Sequence, residues 1–491
     1  MSMQTNTSSR TSSRTRLPVL LAGLALAGCA SVGPDYRAPT LDVPSAWNRI
    51  EPEAQPVIHA EAPRDLSAWW RNLDDPLLSS LITEALQAGP DLRSARARLR
   101  AARGRRVVAA ADRFPGIAAS ASASRSDSSA QTLGSVGTRN FFSAGFDANW
   151  ELDVFGGIRR GVEAADADLA ASEASLNDTQ VSLASEVALT YVEVRALQAR
   201  LGIALANLAS QSETLQLTDW RVQAGLASSQ DAEQARSNRE QTQAQIPSLQ
   251  TSLAEAEHRL DILLGRAPGT LHPRLAATRA LPVVPEHIAV GIPADTLRQR
   301  PDVRAAERTL AAETARVGVA EAARYPSFNL SGSIGLEALT FGALGDNGAS
   351  TSLLAGLTSP VFNAGRLRAQ VDIQDAVREQ ALVAYEQTVL GALQEVENAL
   401  VALARSRERG QALARAVEAA RNAALMAGQR YSAGLIDFQP VLDTQRSVLA
   451  VEDSLASTRA DGVLALIRLY KALGGGWSPQ SEIRPVGKDI P

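Results

Sequence analysis

The chain has 491 residues, 45% of them hydrophobic and only 4% aromatic, with a net charge of −4. Arg and Glu are interspersed, which excludes a basic nucleic-acid surface, and a lone cysteine excludes an intrachain disulfide. No apolar run of 18 residues follows the first 30 positions, so no membrane-spanning helix is expected in the mature chain.

The N-terminus reads as a targeting segment. Arg10, Arg14 and Arg16 precede an apolar run, Leu17 to Ala27, too short to span a bilayer. Leu26-Ala27-Gly28-Cys29 then resembles a bacterial lipobox, in which the cysteine is acylated and becomes the mature N-terminus. Ala30 stands where retention in the inner membrane would usually show Asp, so the expected destination is the outer membrane.

Residues 30–75 are rich in Pro and Trp and read as an extended tether that packs its tryptophans elsewhere. A helical pattern runs from Asp75-Pro76 to about Arg113, broken at Gly89-Pro90 and ended by Phe114-Pro115. Ile117, Ala119, Ala121 and Ala123 then alternate with serines, as in a strand. A second alternation is stronger. Phe142, Ala144, Phe146, Ala148, Trp150, Leu152 and Val154 share one face; Asp147, Asn149, Glu151 and Asp153 share the other. Such a strand suits a membrane barrel, apolar toward lipid and polar toward a lumen.

After Phe155-Gly156-Gly157 the period becomes helical. Val187, Tyr191, Val194, Leu201, Leu205 and Leu208 form a coiled-coil seam, interrupted at Gln198. The helix is expected to reach about Ala224, roughly 100 Å at 1.5 Å per residue. Gly225-Leu226 breaks it, and a second helix runs from about Ser229 to Leu264-Gly265. Pro268 to Pro293 is a proline-rich connector.

The whole order then returns. Pro90-Asp91-Leu92-Arg93-Ser94-Ala95 is answered by Pro301-Asp302-Val303-Arg304-Ala305-Ala306, 211 positions on, and Phe114-Pro115 by Tyr325-Pro326. The strands return over Phe328 to Ile334 and Leu353 to Val361, Phe155 returns as Phe362, and Gly225-Leu226 as Gly434-Leu435. The chain therefore divides into a signal peptide (1–28), a lipidated tether and equatorial segment (29–75), a first repeat (76–267), a connector (268–293), a second repeat (294–474) and a tail (475–491).

Two repeats supply four strands, and four strands cannot close a barrel in lipid without leaving backbone groups unpaired. A closed ring of identical chains is expected. The long helices must leave the membrane as a tube continuous with the barrel. His59, His258, His272 and His287 lack ligand spacing, and no nucleophile elbow or phosphate loop is present, so neither an enzyme nor a metal or cofactor site is expected.

The chain resembles the TolC-like outer-membrane factors of tripartite efflux systems, in their NodT-type lipoprotein branch. The resemblance covers essentially the whole mature chain. It rests on Cys29 with Val32-Gly33-Pro34-Asp35-Tyr36, Trp69-Trp70 with Asp75-Pro76-Leu77, and Trp150-Glu151-Leu152-Asp153-Val154-Phe155-Gly156. It rests equally on Arg300-Pro301-Asp302-Val303-Arg304-Ala305-Ala306-Glu307 and Pro360-Val361-Phe362-Asn363-Ala364-Gly365-Arg366-Leu367. It implies a mainly α chain, a homotrimer with a twelve-stranded barrel, a periplasmic helical barrel and an equatorial belt. The partners it implies are a periplasmic adaptor, an inner-membrane transporter and outer-membrane lipid. It places adaptor contact at Gly225, Leu226, Gly434 and Leu435, although the same glycines also serve chain reversal. It places a periplasmic constriction at Asp443, with Asp231 as a first-repeat contributor; Pro440 stands where a second acid would be. The resting tip is expected to be held shut by contacts of Arg430, Tyr431 and Gln445 with the neighbouring turn. The expected function is passive export of small molecules. The alternatives are an exit duct for type I protein secretion or a lipid-anchored spacer without a pore.

Overall fold

The computed structural model describes residues 31–40, 42–48, 58–59, 66–128, 137–285, 288–345 and 349–478. Cys29, the signal peptide and the end of the tail lie outside them. The chain forms two compact units. The first takes in the described residues up to Pro39 with Arg100–Ala171 and Ala306–Tyr385; the second takes in Thr40–Leu99, Ser172–Ala305 and the chain from Glu386 on.

The elements in chain order are α1 (Pro76–Ala88), α2 (Pro90–Ala111), β1 (Gly116–Ser128), β2 (Gly137–Leu152), α3 (Gly157–Gln223) and α4 (Ser229–Leu263). After the connector come α5 (Pro293–Gln299), α6 (Pro301–Ala322), β3 (Ser327–Ala338), β4 (Ala349–Thr358), α7 (Arg366–Ser432) and α8 (Gln439–Ala472). The repeat is visible in the lengths, since α3 and α7 have 67 residues each and α2 and α6 have 22 each. Pro at the first position of α1, α2 and α6 starts each helix, where a missing N–H costs nothing.

The first unit is built on an antiparallel sheet of order β1-β2-β3-β4. Its register keeps like with like. Phe146 faces Ile334, Ala144 faces Leu336, Trp150 faces Leu330 and Leu152 faces Phe328; Asp147 faces Ser333 and Asn149 faces Ser331. The helices follow the strand order. Arg106 of α2 pairs with Asp166 of α3 at 2.7 Å, Asp168 of α3 with Arg316 of α6, and Gln374 of α7 donates to Glu313 of α6 at 2.8 Å.

In the second unit the tether, connector and C-terminal end pack together. Trp47 donates to the Gly291 carbonyl at 3.0 Å, and Ile58-His59 pair in parallel with Ile288-Ala289. Trp69 is buried and stacks on Tyr470 at 5.3 Å, and Trp477 donates to the Gln299 carbonyl at 3.2 Å. Tyr191 donates to Asp75, and burial followed by that bond pushes its pKa up to about 12. The expected seam is real as far as Val187, Tyr191 and Val194, all fully buried. It does not continue to Leu205, which is 48% exposed. Gln198, the polar interruption, is buried because it bonds Arg195 and the Leu275 carbonyl.

Candidate functional site

Two regions carry the functional side chains: the sheet and the two helix turns. On the sheet, one face presents Ile117, Phe146, Ile334, Leu353 and Leu357, all solvent-exposed in a single chain. Exposed apolar side chains in this number on one side of a sheet demand a covering. The apolar stretch of β2 from Phe142 to Leu152 spans about 33 Å along the strand, hence about 25 Å of height at a tilt of about 40°. Aromatic residues mark both ends. Phe142 and Phe341 meet edge-to-face at 5.9 Å on one side, and Phe155 and Tyr325 stack at 4.7 Å on the other.

The opposite face is mainly hydroxylic and acidic, with the exposed Leu354 and Phe141 as apolar exceptions. Ser120 donates to Asp147 at 2.6 Å, Ser122 and Ser143 bond at 2.9 Å, Ser333 and Ser352 at 2.8 Å, and Ser350 donates to Glu337 at 3.3 Å. Asp147 and Asn149 lie on this face as expected, with Glu151 opposite Asn329. Asp153 does not. The strand ends at Leu152, and the Asp153 carboxylate accepts from the backbone N–H groups of Ile158 and Arg159 at 3.1 and 2.8 Å. It therefore anchors the start of α3, where a negative charge meets the helix dipole.

The turns after α3 and α7 have the same construction. Gly225 and Gly434 sit at φ 72° and 73°, a conformation open to glycine at no steric cost. Leu226 N–H reaches back to the Arg221 carbonyl at 2.7 Å, and Leu435 N–H to Arg430 at 2.9 Å. These are the crossed bonds of a Schellman ending. Leu226 and Leu435 are left about two-thirds exposed. The following helices start differently. Ser228 and Asp231 form a reciprocal capping box, with Asp231 N–H to Ser228 Oγ at 3.2 Å and Ser228 N–H to Asp231 Oδ2 at 3.1 Å. At the second turn Phe438 is buried, Pro440 takes the position of Asp231, and the exposed Asp443 accepts from Gln439 at 3.0 Å and from no other group among the described residues.

Beneath the turns, Ala235, Ala427, Tyr431, Phe438, Val441 and Leu442 make one buried cluster. Arg221 clasps it. Its guanidinium lies 4.5 Å from the centre of the Tyr431 ring and donates to the Tyr431 carbonyl at 2.7 Å. Gln445 donates to Thr214 at 2.7 Å and Arg446 to Asn238 at 3.0 Å. Within one chain Tyr431 meets the last turn of α3, whereas Gln445 meets α3 at Thr214, short of the turn. Arg430 is exposed and makes no side-chain bond among the described residues. The arginine that meets the other turn's helix is Arg221, the repeat counterpart of Arg430, 209 positions earlier.

Two stretches, residues 81–266 and 292–475, match the family model described as outer membrane efflux protein. Over 477 residues the chain is 35% identical to "Pyoverdine export outer membrane protein OpmQ" of Pseudomonas putida, covering 95% of this chain and 99% of that one. It is 32% identical over 470 residues to "Nodulation protein T" of Rhizobium leguminosarum bv. trifolii, covering 95% and 98%. The solved structure of the outer-membrane channel OprN superposes with a TM-score of 0.85 at 38% identity, covering 91% of this chain and 99% of that one.

Proposed function

The chain belongs to the outer membrane efflux protein family, and we propose that it is one of three identical subunits of a passive conduit that carries small molecules out of the cell in a tripartite pump. The observation that carries this reading is the sheet. One face is an apolar band of membrane height, the other is mainly polar, and β1 and β4 each leave an edge unpaired among the described residues. The helices agree, because the edge helices α2 and α7 expose Val107, Val108 and Ile373. Joining β4 and α7 of one copy to β1 and α2 of the next covers both, and three copies give twelve strands.

In this reading the polar face, with Asp147, Asn149 and Glu151, lines the lumen, and the helical part stands in the periplasm. The partners are a periplasmic adaptor, contacting the exposed turns at Gly225-Leu226 and Gly434-Leu435, and an inner-membrane transporter that selects the substrate. Cys29 carries a lipid that assists anchoring. Asp443, rather than the cap residue Asp231, forms the periplasmic constriction.

Three Asp443 carboxylates brought to about 6 Å by a three-fold axis repel by about 1–3 kcal/mol per pair. Such a ring favours cations and needs packing beneath it to stay narrow. The test is single-channel recording in planar bilayers. Asp443→Ala is expected to weaken cation preference and to reduce block by trivalent cations. Unchanged selectivity and block would remove Asp443 from the constriction.

A further inference from the structure

The segment after the N-terminal cysteine is held by an unusual density of contacts. Val32 N–H donates to the Phe155 carbonyl at 3.1 Å, where β2 gives way to α3. Arg160, on the first turn of α3, has a side chain only 6% exposed. Its Nε donates to the Val32 carbonyl at 3.1 Å, and its Nη2 to the Gly33 carbonyl at 3.3 Å and to Asp35 Oδ1 at 2.7 Å. Its Nη1 donates to Glu163 at 2.8 Å. Tyr36 donates to Glu307 of α6 at 3.1 Å. The fit is steric as well. Gly33 has φ +88°, and a Cβ there would lie 2.4 Å from the Cα of Gly318 on α6. A Cβ on Gly318 would in turn strike Arg160 Cγ at 2.9 Å.

The duplication breaks at this place. At the 209-position offset of α3 and α7, the position of Arg160 in the second repeat holds Ala369; counting from the α2 and α6 pair, that of Gly318 in the first holds Val107. Both residues that make the groove are therefore specific to one of its two symmetry-related versions. A guanidinium buried for packing alone would not need to read two backbone carbonyls and an acid on one short segment.

We propose that this groove is a recognition site for the chain's own N-terminal segment, Ser31–Tyr36, and that Arg160 is the positioning residue that latches it to the joint between sheet and helices. The segment is read by its backbone carbonyls, by glycine at position 33, by the acid at 35 and by the hydroxyl at 36. The latch makes Ser31–Tyr36 a fixed part of the barrel rim. A lipid on Cys29, three residues before Val32, would be tied within about 10 Å of that rim. This last consequence rests on the lipid reading above; the latch does not.

The test uses the full-length trimer in nanodiscs, with a spin label on Arg37→Cys, just past the latch, and Cys29 lipidated. The label is expected to be immobilised in the parent. Arg160→Gln and, independently, Gly318→Val are expected to shift the seated-to-free ratio by about tenfold or more, making the mobile component dominant. Arg160→Lys should restore part of the immobile component. If Arg160→Gln fails to assemble, Asp35→Asn changes only the exposed partner and should show the same shift in lesser degree. A label equally immobile in all variants, or already mobile in the parent, would overturn the latch. Conductance of the parent, recorded alongside, separates the two readings: a conducting channel with an indifferent label loses only the latch, and a non-conducting parent with a responsive label loses only the channel.

Discussion

Ile334→Arg is expected to abolish the trimer, while Ser333→Arg, one residue earlier, is expected to assemble and conduct. The two positions lie near the middle of β3 and differ only in face. Ile334 stands between Phe146 and Thr351 in the exposed apolar band; Ser333 stands between Asp147 and Ser352. An arginine facing lipid near the bilayer midplane costs about 2–4 kcal/mol per chain in barrels of this kind, so about 6–12 kcal/mol for three copies. That is comparable to the whole stability of an ordinary domain. On the polar face the same side chain meets water and the nearby Asp147 carboxylate. Native gels and size-exclusion chromatography of outer-membrane extracts read the outcome. Equal yields of trimer from both variants would mean that the faces have been assigned wrongly.

Arg221→Ala is expected to open the resting channel. The guanidinium joins the last turn of α3 to that of α7 through a ring contact and a charge-assisted bond to a backbone carbonyl. Such a clasp contributes about 1–3 kcal/mol per chain in a partly buried setting. With 1.4 kcal/mol per factor of ten, its loss shifts the equilibrium between closed and splayed turns by about tenfold per chain. Single channels of the variant should spend far longer at high conductance, with no adaptor present. Arg430→Ala, at the exposed repeat counterpart, should leave the recording unchanged. An Arg221→Ala channel with parental conductance and dwell times would place the closing contacts elsewhere, with Gln445–Thr214 and Arg446–Asn238 the next to remove.

The sequence made the broad design legible because its signals are periodic. Alternation with a period of two finds the strands, and the doubling of Gly-Leu turns and Pro-Asp helix starts finds the repeat. What it hides are side chains whose partners are distant in sequence or whose local geometry overrides the pattern. Asp153 continues the alternation in register yet leaves the sheet, because its carboxylate has free N–H groups of a helix start within reach. The Asp-Val-Phe-Gly-Gly run before a helical period is the cue that should have ended the strand. Leu205 keeps the heptad spacing but is exposed, since spacing specifies a stripe and not what the stripe meets. Arg160 departs from the repeat, but nothing near it in the sequence names its partners. It stands beside Arg159, and only folding brings Val32, Gly33 and Asp35 to it across more than a hundred residues.

The most direct measurement of the conduit itself is current through channels carrying one introduced thiol, in a background with Cys29 replaced by serine. Ser333→Cys should be reached by a charged, water-soluble thiol reagent, and the current should fall in up to three discrete steps, one per subunit. Ile334→Cys should give the same parental current before and after the reagent. Stepwise block at Ile334→Cys with none at Ser333→Cys, or no conductance from either protein, would contradict a lumen lined by the polar face of a trimeric sheet.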